Sequence, residues 1–209
     1  QESLNKQDKV KEQEIDSLLA SAFNSLSFEE RQRQLEILHG VSSERQEKQD
    51  FVQSAMVEFA EHLKQIKEGT AYETAEQINP AFVNKKRFAL MFLRGNEFKP
   101  KAAADQVIRF MQMKEQLFGR NKLTQKITLK DLDEDDKDFI KTGTIQLIGR
   151  DRIGRVVWFQ IPGLRKFKTI EIELRVRFYM GMNLLRSEEV QKKGIVTITY
   201  AIGDFRDSM

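Results

Sequence analysis

Apolar residues recur at three- and four-residue intervals through the first part of the chain, and they gather into two short runs near its end. Val52, Ala55, Met56, Phe59, Leu63 and Ile66 make one stripe, which predicts an amphipathic helix that must dock on something. An intramolecular core is its default partner, and a coiled coil is the minor alternative. From the N-terminus to about Glu68 the pattern reads as helices joined by short polar breaks. Ser27 with Glu30, Ser43 with Gln46 and Thr70 with Glu73 have capping-box spacing. There a hydroxyl and a later side chain satisfy the open N–H groups of a first turn, so these residues mark helix starts rather than nucleophiles.

Pro80 separates this arm from a second helical segment. Lys85 to Leu93 predicts a short helix with Phe88, Leu90, Met91, Phe92 and Leu93 as a broad apolar surface, stopped at Gly95-Asn96. Pro100 opens another helix, where its missing N–H does no harm, and Gly119 comes just after its end at Phe118. Ala103, Val107, Phe110, Met111, Met113, Leu117 and Phe118 share one wide face, so the two helices are expected to pack as a helical hairpin. Gly149 to Ile161 then reads as a polar turn running into an apolar strand. A helical stretch from about Thr169 to Lys192 and a second apolar run, Gly194 to Ile202, complete the order strand, helix, strand. That order predicts a parallel crossover.

The expected fold class is therefore α+β, mostly helical over about 1–142, followed by the start of a mixed α/β sheet. A parallel strand covered on both faces needs more neighbours than these, so the sheet is expected to be incomplete at Met209. The expected organisation is a helical extension over 1–80, a helical subdomain over 81–142 and a sheet-bearing part over 143–209. Val157, Phe159 and Ile161 alternate onto one side of their strand, and Val196, Ile198, Tyr200 and Ile202 onto one side of the other. Alternation alone does not decide which side looks into a pocket. Phe178 belongs to the crossover helix, with Ile170, Leu174, Met182 and Leu185. Trp158, the single tryptophan, reads either as a core indole or as a ring at a pocket or membrane interface.

Composition narrows the classes of function. No uninterrupted apolar run reaches membrane-spanning length. The absence of cysteine excludes disulfides, thiolate chemistry and cysteine-ligated zinc, and points to a cytoplasmic protein. A net charge of +3 from 35 basic and 32 acidic residues is too balanced to argue for a nucleic-acid partner. The local distribution says more. Asp131 to Asp138 carries six acids against one lysine, whereas Arg150, Arg152, Arg155, Arg165, Lys166 and Lys168 gather around the turn and the segment after the strand. A solvated face is the plain reading of such runs, and contact with anionic lipid the sharper one.

Catalysis finds little support in these residues. His39 and His62 are the only histidines and have no metal-ligand spacing. Asp131 to Thr142 has the length of a calcium loop, but Asp136 replaces its glycine and Thr142 its final glutamate. Those acids are expected to start a short helix, where negative charge favours the N-terminal dipole. No phosphate-binding glycine loop occurs, and neither an enzyme nor a bound cofactor is expected.

Phe92-Leu-Arg-Gly-Asn-Glu-Phe98 with Lys101-Ala-Ala103 resembles the Phe-Leu-Arg-x-Arg-x-Phe and Lys-Ala-Ala pattern of the helical subdomain of CRAL-TRIO lipid carriers. Gly149-Arg-Asp-Arg-Ile-Gly-Arg-Val-Val-Trp-Phe159 is similar to the turn and first lipid-lobe strands of that family, and Gly194 to Asp204 to its next strand. Leu26-Ser-Phe-Glu-Glu-Arg31 with His39-Gly-Val41 resembles the leader of a divergent branch, so the likeness spans Leu26 to Asp204. Asn96 stands where the family carries its second arginine, a position associated with phosphoinositide headgroups in some members, and Gly203-Asp204 departs from the Asp-x-x-Gly order.

The resemblance implies binding and transfer of a hydrophobic ligand or phospholipid, at a transient membrane surface, by a monomer. Its alternative is a non-transferring membrane or protein docking module of a larger protein. The implied lipid contacts are Phe159, Ile161, Phe178, Ile198 and Tyr200, with Arg94, Arg165, Lys166 and Lys168 toward an anionic headgroup or membrane. For Arg94, pairing with an acid such as Glu97 is the competing expectation.

Overall fold

The computed structural model describes residues 16–18, 20–39, 47–164 and 168–200. The chain divides into two compact units, Gln1–Arg45 and Gln46–Met209. In the first, helix α1 (Phe28–His39) begins at a reciprocal cap: Glu30 N donates to Ser27 Oγ at 3.2 Å and Ser27 N to Glu30 Oε2 at 2.8 Å. The capping pair expected at Ser43 and Gln46 lies outside the described residues.

The second unit opens with α2 (Gln49–Ile66), whose Val52, Ala55, Phe59 and Leu63 are buried as the stripe requires. Met56 is half-buried, and Ile66, at the end of the stripe, is exposed. Helix α3 (Ala71–Ile78) starts at Thr70, whose Oγ1 accepts from Glu73 N, but the Glu73 carboxylate reaches Gly69 N rather than Thr70 N. A single helical turn, α4 (Pro80–Val83), comes next, with Asn79 accepting from Phe82 N.

Helices α5 (Lys86–Gly95) and α6 (Pro100–Phe118) fall where the apolar pattern places them. Their connection differs in detail from a glycine stop. Gly95 stays helical, and the left-handed residues are Glu97 and Phe98, with φ of 56° and 58°. Tertiary contact compensates this unfavourable geometry. Phe98 N donates to Leu93 O at 2.7 Å, and the buried Phe98 ring meets Phe51 with centroids 5.3 Å apart.

Helix α6 is the axis of the helical layer and packs against α2, α3 and α5. Its inner face is Ala103, Ala104, Val107, Met111 and Lys114, whereas Met113 points outward. A lysine can occupy this position because its Nζ donates to Leu123 O at 2.8 Å and Gln125 O at 2.7 Å, and lies 5.1 Å from the centre of the Phe82 ring. Burial without a carboxylate partner lowers the Lys114 pKa to about 8.

Two 3₁₀ turns lead to α7 (Glu134–Lys141), begun by a full capping box between Asp133 and Asp136. The acidic run is thus a helix start. Strands β1 (Ile145–Arg150) and β2 (Val156–Gln160) form an antiparallel hairpin with a register shift between Leu147 and Gly149. Its turn needs Gly154, at φ 87°, while Asp151 accepts from Ile153 N and Arg155 N.

The expected single crossover helix is two helices, α8 (Ile170–Leu184) and α9 (Glu188–Lys193). Ser187 causes the break by capping Val190 N, and Gln191 Nε2 closes it by donating to Leu185 O. Strand β3 (Ile195–Thr199) returns parallel to β2, which gives, among the described residues, a three-stranded mixed sheet ordered β1-β2-β3. The protein is thus α+β, predominantly helical. Among the described residues no helix is long and apolar enough to cross a membrane.

Apolar packing among the described residues of this unit forms two clusters. The larger joins α2 to α6, and the smaller gathers Phe139, Ile145, Trp158, Ile172 and Val176 between the sheet and helices α7 and α8. Each fully buried large side chain among them stabilises the fold by about 1.5–3 kcal/mol. Phe178 bridges the helices, stacked on Phe110 at 5.2 Å and tilted against Phe118 at 5.3 Å.

Candidate functional site

Strand alternation separates the sheet into two unlike faces. Val156 and Trp158 point to the covered side, where Trp158 packs in the cluster of Ile172 and Val176. The core reading of the tryptophan therefore holds, with one unusual feature: its buried indole N–H has no hydrogen-bond partner. Residues one position out of phase, Val157 and Phe159, point to the other side. Register places Val157 beside Val196 and Phe159 beside Ile198, so four apolar side chains of two parallel strands lie on one surface. Tyr200 continues that surface, its N–H joined to Gln160 O at 2.8 Å.

This second face is open to solvent. Ile198 is 44% and Tyr200 56% exposed, and Val157, Phe159 and Val196 are half-buried. Ile161 comes just after the end of β2, half-buried, with its N–H bonded to Thr144 O. Of the five apolar residues singled out from the sequence, the structure brings Phe159, Ile198 and Tyr200 together. Phe178 stands apart in the packed interior of the helices, its ring filled on two sides by phenylalanines.

The basic residues separate in the same way. Arg165 and Lys166 lie outside the described residues. Lys168 is exposed and paired with Asp135 at 2.9 and 3.0 Å. The Arg94 side chain is only 6% exposed, and it pairs with acids as the competing expectation held, the remote Glu47 foremost. Its Nε and Nη2 donate to the two oxygens of Glu47 at 2.7 Å each, Nη1 to Gln191 at 2.7 Å and Nη2 also to Glu188 at 2.9 Å. The Arg94 hydrogen bonds hold Glu47 below the usual carboxylate range, and the same bonds raise Arg94. Sequence reasoning missed Glu47, Glu188 and Gln191, because no local pattern links positions so far apart.

A polar depression of about 350 Å³ lies elsewhere, lined by Leu117, Phe118, Lys122, Asp131, Asp133, Asp136 and Arg175. Its charges satisfy one another. Arg175 Nε spans both oxygens of the fully buried Asp136 at 3.0 and 2.8 Å and Nη2 reaches Asp133 at 2.9 Å, while Lys122 meets Asp131 at 2.6 Å. The Lys122 bond, together with those from Thr128, pulls the Asp131 pKa down to about 2. Asp131 is thus held ionised, and the three carboxylates serve as caps and ion pairs. Among the described residues no group of three His, Cys, Asp or Glu is placed to hold a metal ion.

Fold and surface together define a helix-rich α+β protein that presents an apolar sheet face. No protein-family model and no curated protein matches the chain.

Proposed function

We propose that this chain is a lipid-binding module of CRAL-TRIO type, and that a hydrophobic ligand or the tail of a phospholipid lies along the open face of the sheet. The observation that carries the reading is the pairing of Val157 with Val196 and of Phe159 with Ile198 on a partly solvent-exposed surface, extended by Tyr200. Contiguous exposed apolar surface marks a contact site, and no charged residue interrupts these five positions. Each CH₂ of an acyl chain laid on such a wall gains up to about 0.8 kcal/mol as water leaves it. The order of elements supports the reading too: a helical layer, a hairpin, then strand, helices and parallel strand. The module is read as non-catalytic and as a visitor to membrane surfaces, with the ligand as its partner.

Liposome experiments test this directly. The purified protein is incubated with vesicles carrying a fluorescent phospholipid, separated by flotation and analysed by native mass spectrometry. Binding of the apolar probe that weakens in Ile198→Thr supports the reading, and undiminished binding in that variant overturns it. Lipid leaving with the protein favours transfer. Vesicle association without lipid removal favours a non-transferring docking module, which the open form of the face would also serve.

A further inference from the structure

We propose that Arg94 is a positioning residue that couples the start of α2 to strand β3, so that loosening Glu47 at one end loosens the apolar wall at the other. The coupling stands whether or not that wall carries lipid.

At its centre is one nearly buried guanidinium. Its four hydrogen bonds reach two remote pieces of chain: Glu47, just ahead of α2, and Glu188 with Gln191 on α9. A guanidinium presents its donors in one rigid plane. Glu47 grips the edge formed by Nε and Nη2, and this grip fixes the angle at which Nη1 meets Gln191. Release of Glu47 frees the plane to turn and leaves a buried cation short of acceptors, which costs more than the bond itself.

The disturbance has a short path to the sheet. Gln191 is held at both ends, by Arg94 at its oxygen and by Leu185 O at its amide nitrogen at 2.7 Å, so its displacement moves the α8–α9 junction. Arg87, two turns before Arg94 on α5, donates to Arg186 O in the same junction. Helix α9 has six residues and passes through Gly194 directly into Ile195, and among the described residues β3 pairs only with β2. The seat of α9 therefore fixes the seat of β3. On the opposite side, Phe51 against Phe98 ties the first turn of α2 to the residues just after Arg94.

Hydrogen exchange on the whole chain tests the coupling. Glu47→Gln keeps the shape of the side chain and removes its charge; amides 195–199 should exchange about tenfold faster, the scale of one lost charge-assisted bond, with α6 unchanged. Gln191→Leu cuts the path beyond Arg94, and in that background Glu47→Gln should no longer affect β3. Arg94→Lys, with no planar fork, should cancel the effect in the same way. Unchanged β3 exchange in Glu47→Gln overturns the proposal. So does an effect that survives Gln191→Leu, because a local role for Glu47 would loosen α2 alone.

Discussion

Phe159 on β2 and Ile198 on β3 are register partners that turn their side chains to the open face of the sheet, while Trp158 and Val156 beside them face the core. One strand thus divides its work by parity. Ile198→Thr keeps a β-branched side chain at an exposed position, so urea unfolding should register a change within about 1 kcal/mol. Phe139→Ala, in the smaller core at 2% exposure, should cost about 3–5 kcal/mol in the same assay. Similar losses for both would mean that the two faces are equally packed.

Lys114 makes stability depend on pH in an unusual direction. Its pKa in the fold is lowered from 10.5 to about 8, so between these values the unfolded chain holds a proton that the folded chain lacks. Stability therefore rises as pH increases through this window, by up to on the order of 3 kcal/mol. Tyr72, raised by burial from 10.0 to about 12, acts oppositely above pH 10, where only the unfolded tyrosine ionises. Denaturant midpoints should climb from pH 8 to 10 and then level off or fall. Lys114→Met should abolish the climb, and a flat profile in the native protein would contradict the assignment.

Arg175 answers the buried carboxylate of Asp136. Arg175→Met leaves that charge without its cation and should cost about 3–5 kcal/mol, whereas the double variant with Asp136→Asn should recover part of the loss. Chemical denaturation of the two single variants and the double one gives the coupling directly.

Gly154 is the hinge of the β1–β2 turn. A Cβ placed there would approach Lys193 Nζ to 2.9 Å, at φ 87°. The lysine end can swing away, so the backbone angle dominates, and Gly154→Ala should cost about 1–2 kcal/mol by thermal melting. A neutral result would show that the turn relaxes to another type.

Much of the fold is legible in the chain because it is locally encoded. The stripe of α2, the two phenylalanine-rich helices and the order β2, α8, β3 all arise from periodicity, and Asp133 with Asp136 declares the start of α7. Features decided across long separations leave no such trace. Lys114 reads as a surface residue until Leu123 and Gln125 supply carbonyls to it. Phe178 looks like any wall-facing aromatic until Phe110 and Phe118 close around it. For the candidate surface, alternation groups Phe159 with Val157 and Ile198 with Val196 but does not say which side is open. The position of α7 and α8 over Trp158 answers that. The break between α8 and α9 has a local signal, since Ser187 precedes two glutamates, but the apolar run through Leu185 masks it.

Strand β3 has a consequence for handling the protein at the bench. Ile195 to Tyr200 contains neither charge nor proline, and among the described residues this strand is an outer margin of the three-stranded sheet, with only the alternate amides that do not pair with β2 turned outward. Such a margin invites another chain to stack alongside it. Concentrated preparations are therefore expected to cloud or gel in proportion to protein concentration, and a single lysine at Thr197 to keep them clear.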